Sequence, residues 1–285
     1  MMKIAITGAT GFVAKNLRKF LSKQNIPVVA IGRKNFSIYK NEIKVITNNY
    51  SDDLSSKLNH CSCMIHLVGV GKQTFDNNFY EINFLLTKKI LEMSKKSKIP
   101  KIIFNSGLGA SKNSTTDYFI SKYLAEQEII NSGLDYTVFR PSYIIGTNDH
   151  LSKNLKKQIR SGVIKIPGSG NFSLQPISIN DVVKILYHAA TSKKYSNKLL
   201  DLVGNEIITY EKFVKLFVLS KKSIIKKINI EIAYRDAIRN PTSQYGVDDL
   251  HILVGNFISN SKKLKQIYNL DLENFRNILK SRSLS

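Results

Sequence analysis

The chain opens with a junction that few folds accommodate. An apolar run, Ile4-Ala5-Ile6, leads directly into Thr7-Gly8-Ala9-Thr10-Gly11-Phe12-Val13-Ala14. The pattern predicts a buried strand, a glycine turn and then a helix. Helix N-terminal amides point outward at the positive end of the helix dipole, so such a junction can receive a pyrophosphate. Gly8 permits the turn, Gly11 lets the backbone approach phosphates, and the small Ala14 lets helix pack on strand. The spacing is Gly-x-x-Gly-x-x-Ala, distinct from the commoner Gly-x-Gly-x-x-Gly. Nucleotide binding is the expectation, and a plain βα connection is the alternative.

Short apolar runs then alternate with amphipathic stretches. Strands are expected at 27–31, 43–46, 64–68, 101–104 and 136–139, with helices over 12–24, 52–59, 78–97 and 117–131. This succession argues for an α/β fold: a Rossmann-type, doubly wound parallel sheet covered on both faces, its ligands at the carboxyl ends of the strands. Beyond Arg140-Pro141 the pattern loosens. A basic helix is expected at 151–161, a turn at Pro167-Gly168-Ser169-Gly170, an extended piece at Gln175–Ser178, a helix from Asn180-Asp181 and a strand at 199–203. The expected organisation is a nucleotide-binding domain over 1–146 and a smaller C-terminal substrate-binding region over 147–285. Within the latter, about 171–205 returns to the first domain.

Composition narrows the function classes. At 285 residues and 42% hydrophobic, the chain suits one large domain or a large one plus a small one. No run approaches the ~20 apolar residues of a membrane span, and a strand from residue 3 leaves no room for a targeting peptide, so a cytoplasmic location is expected. Cys61 and Cys63 lie too close together to staple a fold, and His60 and His66 complete no familiar metal spacing. No metal site is expected, and these residues read as packing beside a strand with their thiols reduced. The net charge of +22 is spread evenly: 20 basic and 10 acidic residues up to Gly146, 23 and 11 beyond it. A nucleic-acid tail would concentrate it, so nucleic acid is disfavoured as the main partner. Anionic nucleotides and, peripherally, acidic membrane surfaces are attracted by such a chain.

Tyr118-Phe119-Ile120-Ser121-Lys122 is the second informative segment. On a helix Tyr118 and Lys122 share a face, and Tyr118 is the only one of 13 tyrosines with lysine four residues on. An ammonium nearby favours the phenolate, so the hydroxyl is expected to exchange protons nearer neutrality.

With these pieces in place the chain resembles the short-chain dehydrogenase/reductase superfamily, in its extended or atypical branch of nucleotide-sugar epimerases and dehydratases. The matching pieces are Thr7–Phe12, His66-Leu67-Val68-Gly69, Asn83, Ile103–Ser106, Tyr118 with Lys122 and Ala125-Glu126, Arg140-Pro141 with Gly146, and Pro176-Ile177 with Asp181-Val182-Val183. They cover about residues 1–205; the last 80 match loosely. Gly246 to Asn256 faintly resembles an atypical branch related to an accessory subunit of respiratory complex I.

The resemblance implies Tyr118 as acid/base and Lys122 as the group that tunes it and grips the nicotinamide ribose. It also implies a dinucleotide held by Gly8, Thr10, Gly11, Phe12, Val13, Arg33, Asn49, Leu67, Val68, Gly69, Asn83, Tyr118, Lys122 and Pro141. One piece departs. Gly107 stands where the family places a serine or threonine that polarises the substrate. Ser106, one position earlier, is the candidate in its place, although strand neighbours alternate faces; Ser111, Ser114, Thr115 or Thr116 could substitute. After the second strand, Ile31-Gly32-Arg33-Lys34 offers no acid for a ribose and two cations for a 2′-phosphate, which favours NADP(H) over NAD(H). Asp52-Asp53 reads as a helix cap, and His188 as packed or exposed.

The expected function is NAD(P)-dependent hydride exchange, as an oxidoreductase or an epimerase/dehydratase acting on a small molecule or nucleotide sugar. The alternative is a dinucleotide-binding scaffold or sensor. Family members often form homodimers through paired helices, including the one that carries the tyrosine.

Overall fold

The computed structural model describes residues 2–48, 50, 54–74, 77–218, 223–240, 243–268 and 271–280. The chain divides into two compact units. The first comprises Met1–Pro141, Ile179–Leu202 and Lys262–Leu270, and the second Ser142–Ser178, Val203–Ser261 and Asp271–Ser285.

The first unit is built on seven strands, the central ones apolar on both faces and the edge strand at 42–46 largely exposed. In order they are β1 (Ile4–Thr7), β2 (Val28–Gly32), β3 (Glu42–Ile46), β4 (Cys63–His66), β5 (Lys101–Asn105), β6 (Asp135–Pro141) and, after the second unit begins, β11 (Lys198–Leu202). β1, β2 and β4 are buried throughout, as strands covered on both sides must be. All pair in parallel, in the order β11-β6-β5-β4-β1-β2-β3. The expected Rossmann-type sheet is the one observed. Its order reverses between β1 and β4, and the ends of those strands frame the crevice where such sheets take ligands.

Alternate residues Ala5, Val29, Met64, Ile102 and Val138 pack against α2 (Ser55–Leu58), α3 (Leu86–Lys96) and α4 (Asp117–Ile130). Each fully buried aliphatic side chain contributes about 1.5–3 kcal/mol, so this layer fixes where α4 sits. α1 (Phe12–Lys23) packs on α6 (Ile179–Thr191), which also meets β4 and β5.

Two expected helices differ in detail. The segment 78–97 is a π-helical stretch, Tyr80–Leu85, that runs into α3. The segment 52–59 contains α2, while Asp52 and Asp53 lie outside the described residues.

The second unit carries three two-stranded sheets: β7 (Ile144–Ile145) with β10 (Ile177–Ser178), β8 (Val163–Pro167) with β13 (Ile224–Ile228), and β9 (Ser173–Leu174) with β12 (Ile208–Thr209). α5 (His150–Arg160), α7 (Tyr210–Val218), α8 (Ile230–Arg239), α9 (Val247–Leu253) and α11 (Phe275–Lys280) pack with them around Leu155, Ile164, Leu174, Tyr210, Phe213 and Leu250. The unit begins at Ser142, and within it Ile144 and Ile145 pair with β10. The segment 179–202 belongs to the first unit, as does α10 (Lys262–Tyr268). No helix among the described residues is long and apolar enough to cross a membrane.

Candidate functional site

The glycine turn has the shape the sequence demands. Gly8 has φ +70°, and a Cβ there would lie 3.0 Å from the backbone of Leu67 and of Val68. The turn thus lies directly against the chain leaving β4, and a side chain would push them apart. Gly11 N–H donates to Gly8 O at 2.8 Å, and Gly11 caps α1 with no side chain of its own and no acid in the first turn. The first amides of α1 therefore keep their positive field for an anion. Thr10 and Gly11 are exposed, with Phe12 and Val13 half-buried behind them.

Two residues that sequence reasoning passed over hold this turn. Arg18, on α1, is buried; it donates to Ala9 O at 2.8 Å, to Ser37 O at 2.8 Å and to both carboxylate oxygens of Glu42, at 2.6 and 3.0 Å. Its guanidinium also lies 4.6 Å from the Phe36 ring centroid. One cation thereby ties the glycine turn to the β2–β3 loop that carries exposed Arg33 and Lys34. Tyr50 is buried, its hydroxyl bonded to the backbone of Gly8 and facing the Arg33 charge; burial outweighs both and pushes the phenol up to about 12. Neither residue lies in a local motif: Arg18 reaches back to the turn from about two helical turns into α1, and Tyr50 comes to it from beyond β3.

A second cluster forms around α4. Thr116 caps the helix and accepts from Phe119 N–H at 3.5 Å. Glu126, fully buried, takes a bidentate bond from Arg140 on β6 at 2.8 and 2.5 Å, which fixes the helix on the sheet. Lys122 is buried on the same helix, with Nζ 3.4 Å from Asn105 O and 5.1 Å from the Phe104 ring centroid. Gly69 gives it room: a Cβ there would lie 2.8 Å from Lys122 Nζ and 3.2 Å from Asn83 Oδ1. Asn83, in the π-helical stretch, accepts from Val70 N–H at 2.9 Å and donates to Val70 O at 3.2 Å. Half-buried Tyr118 lies beside Gly107, whose added Cβ would sit 3.4 Å from Tyr118 Oη. Leu108 N–H donates to Pro141 O at 2.9 Å, joining Pro141 to the same loop.

Residues 4–200 match the NAD-dependent epimerase/dehydratase family. The chain belongs to that family. It is 22% identical over 238 residues to the NADH dehydrogenase (ubiquinone) 1 alpha subcomplex subunit 9, mitochondrial, of Dictyostelium discoideum, a match covering 80% of this chain and 66% of the relative. The chain thus spans just under two thirds of that relative's length. Among solved structures it is similar in fold to MoeE5 in complex with UDP-glucuronic acid and NAD, with TM-score 0.81, 15% identity and coverage of 98% and 97%. It is similar also to the UDP-glucose 4-epimerase of Thermotoga maritima, with TM-score 0.74, 18% identity and full coverage of both chains.

For this member of the epimerase/dehydratase family, Gly8, Leu67 and Val68 meet at the turn, and Gly69, Asn83 and Lys122 meet at α4. Exposed Arg33 lies near enough to Tyr50 for its charge to act on the phenol. Asn49 lies outside the described residues. Ser106 is buried, and its hydroxyl has no hydrogen-bond partner among the described residues. Of the two neighbours it is Gly107 whose Cβ direction meets Tyr118. The expected lowering of the phenol does not occur in this state. Burial pushes Tyr118 up to about 12 and Lys122 down to about 8, because each charged form loses water that the neighbouring groups do not replace. Cys61 and Cys63 are buried free thiols, both pushed up by burial.

Proposed function

We propose that the protein is an NAD(P)-dependent oxidoreductase or epimerase/dehydratase that works on a carbonyl or hydroxyl carbon of a small molecule or nucleotide sugar. The observation that carries this reading is the cradle of glycines: Gly8 against Leu67 and Val68, and Gly69 against Lys122 and Asn83, positions where an added Cβ would meet backbone or the lysine. These residues fit a dinucleotide. The first amides of α1 would hold its diphosphate, and Lys122 its nicotinamide ribose. Arg33 and Lys34 would hold a 2′-phosphate, which favours NADP(H) over NAD(H). A bound nicotinamide supplies or accepts the hydride.

Tyr118 Oη delivers or removes the matching proton. With its phenol near 12 in the free protein, Tyr118 stands protonated at neutral pH and is set to donate to a carbonyl oxygen. The experiment is Tyr118→Phe, with NADPH and NADH affinities measured by calorimetry beside turnover. Turnover should fall at least about a hundredfold, with NADPH bound more tightly than NADH and nearly as well as by wild type. Undiminished turnover would remove Tyr118 from the reaction.

One observation favours a second reading, a dinucleotide-binding scaffold of low activity: no hydroxyl stands at Gly107 beside Tyr118. Tight dinucleotide binding with no turnover across carbonyl and nucleotide-sugar substrates would select it.

A further inference from the structure

His66 ends β4 and is fully buried, its ring stacked on Phe104. Both ring nitrogens are engaged: Nδ1 lies 2.7 Å from Thr7 Oγ1, and Nε2 lies 3.1 Å from Thr87 Oγ1. The proton positions follow from the neighbours. Thr87 has one hydroxyl proton, and it goes to the Asn83 carbonyl at 2.7 Å. Thr87 Oγ1 must then accept from the ring, which places the hydrogen on Nε2. Nδ1 is left as an acceptor and takes the Thr7 proton, while Thr7 Oγ1 accepts from Leu67 N–H at 3.2 Å. Burial and the charge of Lys122 keep the ring neutral, its pKa down at about 3.

The series continues past Asn83. Its side chain grips both backbone groups of Val70 and donates to Ser121 Oγ at 3.1 Å; Ser121 Oγ in turn donates to the Tyr118 carbonyl at 2.7 Å. Thr7 immediately precedes Gly8. A hydrogen-bonded path therefore joins the glycine turn to the main chain of Tyr118, and His66 is its link between two strand ends and the π-helical stretch.

We propose that His66, as its Nε2–H tautomer, is a positioning residue that sets the Tyr118–Lys122 helix in register with the glycine turn. This rests on the reading that the turn holds a dinucleotide and Tyr118 is its acid/base. Val70, Asn83 and Ser121 transmit the register, and none of them needs to touch substrate.

The full-length protein tests it in two ways. In the free wild type, a two-bond ¹H–¹⁵N histidine spectrum should show His66 protonated at Nε2 alone. The ring signal of Tyr118 in ¹³C-tyrosine-labelled protein, assigned by its loss in Tyr118→Phe, reads the coupling without any turnover. His66→Leu and Thr87→Val should shift that signal alike and lower kcat about tenfold to a hundredfold, with dinucleotide Kd changed less than about threefold. His66→Gln, whose amide nitrogen can donate to Thr87 in place of Nε2, should keep the wild-type signal and recover most of kcat. Thr87→Val keeps the test open should His66→Leu fail to fold. An Nδ1–H or doubly protonated His66, or an unmoved Tyr118 signal in either folded variant, overturns the proposal. Full turnover by Tyr118→Phe overturns the acid/base reading instead, and is told apart because the tyrosine signal of the His66 and Thr87 variants, which keep Tyr118, still reports the coupling.

Discussion

Two glycines beside α4 define what that helix can do. Gly107 has space for a hydroxymethyl group, since its Cβ would meet Phe119 and Tyr118 at ordinary contact distances of 3.4 to 3.5 Å. Gly107→Ser should therefore place a donor next to Tyr118 Oη and raise kcat by about tenfold to a hundredfold, read in NADPH-driven carbonyl reduction. An unchanged kcat would mean that the hydroxyl is supplied from elsewhere or that no chemistry occurs. Lys122 makes a separate prediction about pH. Its native pKa of about 8 lies below its ordinary 10.5 because burial penalises the charge. Between those two values the unfolded chain binds more protons than the native one, so this group's contribution to stability rises with pH across that window. Lys122→Met removes the penalty. It should be the more stable protein at pH 7, by at most about 3 kcal/mol, and lose that advantage toward pH 10.5. Paired urea titrations at the two pH values check this.

At the scale of elements, legibility followed sequence distance. The strand, glycine turn and α1 are contiguous, and the pair Tyr118 and Lys122 is four residues apart, so local pattern sufficed to find both. Arg18 and Glu42 are 24 residues apart and meet only because β3 lies beside β2 in the folded sheet. Nothing in a basic, lysine-rich sequence marked that arginine as buried. His66 read as packing for the same reason: Thr7 and Thr87 reach it from β1 and α3. The π-helical turn was invisible because its side chains follow the same apolar periodicity as the helix it enters. Arg18→Met should cost about 3–5 kcal/mol in urea unfolding, since it strands the Glu42 carboxylate in the interior. The double variant Arg18→Met/Glu42→Leu should recover most of that loss. A single variant as stable as wild type would show that the pair does not brace the turn.

At the scale of the molecule, the seven-stranded sheet was legible through strands separated by helices; in the second unit the basic helix expected at 151–161 and the turn at 167–170 were legible too, whereas most of its short strand pairings were not. Strands of two residues, such as β7 and β10, carry no periodicity that a sequence can display. Its charge gave no guide either, because the excess of lysine is spread through both parts of the chain. The evenness that argues against a nucleic-acid tail also hides which faces are functional.

Sheet completion has a consequence for biosynthesis. β6 is finished at residue 141, but its outer neighbour, β11, is not encoded until 198–202. During translation the nascent sheet must wait for some sixty further residues with the outer-edge backbone groups of β6 unpaired, its inner edge being held by β5. A chain stopped at Pro141 should accordingly self-associate, visible as rising light scattering, while the 285-residue chain scatters less at the same concentration. If the shorter chain remains clear at micromolar concentration, that edge is guarded by something other than β11.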